Sequence, residues 1–275
     1  MRDVSDLASS GLPTRSAPWE SALVAASIAA ICGGGALVGR WPLFALVVII
    51  QLALTLAWLA VTAVPAASGG LLITIGAALV ADLYAGRIGH PDQAPVAAVV
   101  AAAFALAVLR QLARRRRTHV TESLAAVMTG VVMVVFAAHL IATRAGRGGV
   151  AAVAAVCFAV AAATAVRRGI DAFFVRPALR AGSGRGWPGL LASAAAAAAA
   201  GGYVGAVRAG LDVRTGALVG LAAALAAAVV DLGIAFGSRH LAAERRWSAI
   251  APLGVLLPLV VAAPVGYGVA RLLVT

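Results

Sequence analysis

Lysine is absent from this chain: all 22 basic residues are arginine. Charge of either sign is scarce, at 12% of 275 residues, against 63% hydrophobic residues and a mean hydropathy of +1.00. A soluble domain of this length needs far more charge on its surface, so that class is excluded. Alternating period-2 patterns are missing too, and an open sheet cannot sit in lipid, so strands are not expected. The only cysteines, Cys32 and Cys157, fall inside apolar segments and offer neither a disulfide framework nor a zinc spacing. The first twenty residues, "MRDVSDLASSGLPTRSAPWE", lack the charge-then-apolar order of a signal peptide. They read as a flexible cytoplasmic tail, 1–20, that carries an interfacial Trp19. No internal repeat is evident, which disfavours an inverted-repeat transporter. The missing lysine and the excess of alanine fit a chain from a GC-rich genome, so part of this composition is mutational bias.

What is present is a series of apolar segments, roughly 21–39, 42–64, 70–86, 94–109, 124–143, 148–166, 187–207, 216–237 and 249–272. Some 20 apolar residues in a helix cross a hydrocarbon core of about 30 Å. The expected fold is therefore all-α, a polytopic integral membrane protein with about nine transmembrane helices. With the N-terminus cytoplasmic, fifteen of the 22 arginines fall on the inner side and seven on the outer side. The three long basic connections, 110–123, 167–186 and 238–248, then share the inner side, as the positive-inside rule expects. The net charge of +12 is read as helix-end arginines facing anionic lipid, not as a nucleic-acid surface. The expected placement is a cell membrane, the bacterial plasma membrane. The chain divides into a six-helix region, 21–166, and a three-helix region, 167–275.

The low-complexity run "SAAAAAAAGG" at 193–202 has two readings. It is a close-packing surface, since small residues let helices approach in lipid, or a product of codon bias in a segment that needs only to be helical.

Two acids, Asp82 and Asp231, and one histidine, His139, lie within the apolar segments. An acid at mid-bilayer costs about 2.5–3.5 kcal/mol on insertion scales, which makes each a candidate for function. Asp82 lies near the outer end of its segment and has a plain alternative as an interfacial acid beside Arg87. His139 also lies near the outer end of its segment and has a plain structural alternative. Asp231 lies one to two turns from the inner surface, with Arg239 eight residues on, about two helical turns and so on one face. Such an acid suits the anchoring of a cation that meets a phosphorylated substrate. Its plain alternative is an ion pair or hydrogen bond between helices.

Short motifs in the last hundred residues resemble the CDP-diacylglycerol synthase (phosphatidate cytidylyltransferase) family. "IDAFFVRPALR" has Asp171 where the family has an aspartate before its cytoplasmic loop. "GSGRGWPG" keeps Arg185, Trp187 and Gly189 in register with the family's Ser-Pro-Lys-Lys-Ser-Trp-Glu-Gly. "VDLGIAFGSR" matches its Gly-Asp-Leu at Asp231 and Leu232 and its arginine at Arg239. "GRWPLFALVVIIQLAL", "VTESLAAVMTGVVMVVFAAHLI" and "LVVAAPVGYGVARLL" are similar to other family helices. The resemblance implies transfer of a cytidylyl group from CTP to phosphatidate at a cytoplasmic centre. It implies Asp231 as the catalytic residue and Asp231 with Asp171 as ligands of Mg2+. Arg185, Trp187, Arg239, Arg245 and Arg246 would bind substrate. It also admits a homodimer.

The family's most specific element is missing. Where it carries Lys-Asp, Pro-Gly-His-Gly-Gly, Asp-Arg and a further Asp, this chain has "RHLAAERRWSAIAPLGVLLPLVVAAP". The histidine is gone, the carboxylates have become apolar around Leu256, Leu257 and Pro258, and only Glu244 is left as an added acid. Magnesium takes oxygen ligands, so these losses strip the centre of donors. Three functions stay open on the residues: a divergent Mg2+-dependent cytidylyltransferase, a non-catalytic paralogue that binds phosphatidate or another anionic lipid, and a small-molecule permease.

Overall fold

The structure, a computed structural model, describes the backbone of residues 18–62, 67–88, 94–113, 119–173, 179, 186–241 and 247–274, with side chains inside 20–62, 69–86, 96–113, 119–173, 179, 186–235 and 252–274. The described residues form nine helices and no strand: α1 (Pro18–Val38), α2 (Arg40–Thr62), α3 (Ala67–Ile88), α4 (Ala94–Ala113), α5 (Val120–Ala145), α6 (Gly149–Phe173), α7 (Trp187–Val207), α8 (Val213–Leu241) and α9 (Trp247–Leu273). All nine contain a stretch long and apolar enough to cross a membrane. Large apolar side chains such as Leu52, Leu72, Leu109, Leu191 and Val229 remain exposed on the bundle's outside. In water that would be costly; against lipid tails it is the expected surface.

Two helices run well past their apolar stretches. The sequence places the end of α6 near 166 and that of α8 near 237, whereas the helices end at Phe173 and Leu241. Arg167, Arg168 and Asp171, expected in a connection, are therefore on α6. The physical reason is pairing: an arginine and an aspartate four residues apart lie on one face and offset each other's charge, so the helix continues past its apolar edge.

α6 is the central helix, packed by α1, α5, α7, α8 and α9. Its alanine-rich face, with Ala152, Val153, Cys157 and Val160, belongs to a core shared with α1, α2, α5 and α9. A second core joins α3, α4 and α5 through Ala81, Ala103 and Val131. The alanine run of α7 is a packing surface. Ala197 is fully buried, and a side chain on Gly201 or Gly216 would collide with the other helix's backbone. The first of the two readings of 193–202 therefore holds for its buried face. Without side chains at these points, α7 and α8 approach closely enough for dispersion to act along both backbones.

α8 begins after Asp212, whose Oδ1 accepts the Thr215 N–H at 2.7 Å and whose Oδ2 accepts the Thr215 hydroxyl at 3.0 Å. These bonds, the backbone one first, hold the exposed Asp212 carboxyl below its ordinary pKa. Three prolines, Pro252, Pro258 and Pro264, lie inside α9. A packed bundle tolerates them because neighbouring helices can take up freed backbone groups.

Candidate functional site

The last turns of α6 carry two adjacent arginines, and adjacent helical positions point about 100° apart. Both side chains are buried, yet they reach different neighbours. Arg168 Nη1 donates to Ser21 Oγ on α1 at 2.7 Å, while Nη2 donates to Asp231 Oδ1 on α8 at 2.9 Å and to the Gly254 carbonyl on α9 at 3.4 Å. Arg167 Nη1 donates to the Ala228 carbonyl at 3.3 Å and stands 3.5 Å from Asp231 Oδ2. Its Nε lies 4.0 Å from Asp171 Oδ2, one turn along the same helix. Four helices thus meet at one guanidinium pair.

Asp171 looks the other way. Its Oδ1 accepts the Gly186 N–H at 3.0 Å, at the residue that caps α7. The carboxylate so meets the positive end of the α7 dipole and satisfies a donor that the helix leaves open. Gly189 is needed for this approach, because a Cβ there would collide with Asp171 Oδ1. The family-like spacing of Asp171, Trp187 and Gly189 therefore has a direct structural use: it docks the start of α7 on the end of α6.

The described part of the cluster balances, with two guanidiniums against two carboxylates. A buried charge is tolerable when paired and hydrogen-bonded, and removing one partner is then costly. Beside it lies a cavity of about 20 Å³, lined by Thr164, Ser193, Arg167, Arg168 and Asp231 among alanines and Pro258. A space of that size holds about one water, and this lining provides the polar partners a water needs.

The structure thus brings Asp231 and Asp171 into one cluster, but with Arg167 between them. Trp187 is half exposed at the start of α7, next in sequence to the Gly186 that Asp171 holds. Arg185, Glu244, Arg245 and Arg246 lie outside the described residues, as does the Arg239 side chain. α8 runs on to Leu241, so Asp231 and Arg239 do lie about two turns apart on one helix, and Asp231 also pairs with α6. Arg167 and Arg168 were missed because apolar windows stop at Val166. The available signal was an arginine four residues before Asp171.

The donor set was tested against magnesium. Magnesium requires near-octahedral oxygen ligation. Here each carboxylate already faces a guanidinium, and a third His, Cys, Asp or Glu does not join the group among the described residues. A dication between Asp171 and Asp231 would stand against Arg167, so the arrangement does not fit the metal.

The other two intramembrane candidates are elsewhere. Asp82 on α3 is fully buried against neighbouring helices, and the Arg87 side chain lies outside the described residues. Its Oδ1 accepts from Gln51 Nε2 of α2 at 2.9 Å, and the same amide donates to the Val134 carbonyl of α5 at 3.0 Å. His139 is also buried: its Nδ1 bonds the Val135 carbonyl at 3.0 Å, and its ring meets Phe136 and Tyr267 edge-on. Both therefore join helices to helices. Comparison with protein-family models, curated proteins and solved structures finds no match to this chain.

Proposed function

We propose that this multi-pass membrane protein binds the headgroup of phosphatidate or a similar anionic lipid at the basic end of α6–α9, on a cytidylyltransferase-like scaffold, without transferring a cytidylyl group. One observation carries the reading: the two carboxylates that the resemblance would give to magnesium face Arg167 and Arg168. Transfer from CTP to phosphatidate joins two polyanions and needs a dication to screen them. Each lost ligand or orienting group of such a centre costs about 10²–10³ in rate. Binding has no such need. The connections that follow α6 and α8 are rich in arginine, including Arg185, Arg245 and Arg246. Such segments attract anionic headgroups at about 1 kcal/mol per residue. The exposed Trp187 suits the headgroup layer, where an amphipathic ring is favoured.

The test incubates purified protein in detergent with labelled CTP, phosphatidate and magnesium. The expected result is retained phosphatidate binding and no CDP-diacylglycerol. Product that disappears in Asp231→Asn would overturn the non-catalytic reading and establish the enzyme. Absence of both binding and product, with gradient-driven solute uptake in proteoliposomes, would favour the permease.

A further inference from the structure

Asp231 is a poor match for the two guanidiniums it faces. It meets Arg168 through one oxygen at 2.9 Å and Arg167 through the other at 3.5 Å. Neither contact is the two-point fork by which arginine grips a carboxylate or a phosphate. The Nη2 group that serves Asp231 is shared with the Gly254 carbonyl. Arg168 Nε is buried with no hydrogen-bond partner among the described residues. Arg168 is 8% exposed and lines the small cavity, largely apolar, that Thr164 and Ser193 also border. A buried donor left open on a side chain that lines a cavity points to a ligand that arrives from outside the chain.

We infer that Arg167 and Arg168 form a binding pair for a phosphomonoester dianion, and that Asp231 is the resident counter-ion which that phosphoryl group replaces. This rests on the headgroup-binding reading and adds to it the residues, the ligand charge and a built-in competitor. A phosphoryl group has three outer oxygens, enough to give each guanidinium a contact and Arg168 a fork. The cavity of about 20 Å³ is too small to add a phosphate to the closed cluster, so binding is an exchange in which the α8 carboxylate leaves. Facing the same two guanidiniums, a monoester carries about −1.5 to −2 near neutral pH, more than the single charge of the carboxylate it displaces. A phosphodiester carries only one charge and gains little over the carboxylate it displaces. The same chemistry is offered by phosphatidate and by free phosphate.

The experiment uses the full chain in uncharged detergent and titrates three probes: short-chain phosphatidate, short-chain phosphatidylglycerol and inorganic phosphate. Affinity and ligand-induced thermal shift are read for wild type, Asp231→Asn and Arg168→Lys. Phosphatidate is expected to bind Asp231→Asn about tenfold more tightly than wild type, since a competing charge-assisted bond is gone. Unliganded Asp231→Asn melts lower than wild type, and phosphatidate restores it. Arg168→Lys keeps a cation for Asp231 but loses the fork, so it binds phosphatidate about tenfold more weakly, which keeps the proposal testable if Asp231→Asn fails to fold. Phosphatidylglycerol shows no gain. The same gain with inorganic phosphate supports a site for the phosphoryl group itself, and a gain with phosphatidate alone supports a site reached from the lipid. Unchanged or weaker phosphatidate binding in Asp231→Asn, or unchanged binding in Arg168→Lys, overturns the exchange. If wild type binds no phosphatidate, it is the headgroup reading that fails.

Discussion

Asp231 on α8 and Asp82 on α3 are both buried acids in membrane-length helices, and they meet different partners. Asp231 faces two arginines, each of which also bonds backbone or side-chain oxygens of other helices. Asp82 faces one amide, Gln51, which is held in turn by the Val134 carbonyl. The first is a balanced set of full charges gathered at the basic end of the bundle. The second is a short chain of hydrogen bonds that ties α2, α3 and α5. The difference teaches that a lone acid in an apolar sequence does not identify its own role. The role follows from whether the opposing helix offers a cation or only a dipole, because full charges respond to ions and headgroups while an amide holds a neighbour in register.

That contrast sets an order of expected effects. Asp231→Leu leaves Arg167 and Arg168 facing each other without Asp231, and breaking such a buried pair costs about 3–5 kcal/mol. The melting temperature in detergent should fall further than for either change at the Asp82 site. Gln51→Leu removes two hydrogen bonds at once and leaves Asp82 Oδ1 without this donor, while the Val134 carbonyl keeps its helical bond, a loss of about 1–3 kcal/mol by the same measurement. Asp82→Asn keeps an acceptor for Gln51 and removes only the charge, so it should cost under about 1 kcal/mol. A large loss there would show that the two acid sites are alike after all.

The smallest effect is expected at Asp212, outside both sites. Its lowered pKa means that its stabilisation is fully present above the ordinary Asp value of about 3.9 and is lost as pH falls through the lowered value. Thermal melts of Asp212→Ala should differ slightly from wild type at neutral pH and converge with it in acid.

Much of this architecture was legible in the sequence. Long apolar stretches separated by arginines carry the helix count, because a bilayer admits few alternatives for such a chain. The special burial of Asp231 was legible as well, from one acid among alanines and valines. Its partner was not. Arg167 and Arg168 read as the start of a basic loop, since hydropathy treats charge as a boundary and takes no account of an aspartate four residues on. The burial of Asp82 was not legible for a related reason: distance from a helix end measures depth along one helix, whereas burial depends on which helices pack beside it. The Asp171, Trp187 and Gly189 spacing was visible, but the docking of α7 on α6 that uses it was not, because that contact is set by tertiary structure.

The central claim is that Asp231 is the counter-ion of the α6 arginines and not a magnesium ligand. A double-mutant cycle on Arg168 and Asp231 tests it most directly, with Arg168→Met, Asp231→Leu and the double variant compared by unfolding in detergent without added metal. The pairing predicts that each single change is severely destabilising and that the double variant recovers most of the loss, for a coupling of about 3 kcal/mol. Additive losses, together with a magnesium-dependent rise in the wild-type melting temperature that Asp231→Leu abolishes, would contradict it.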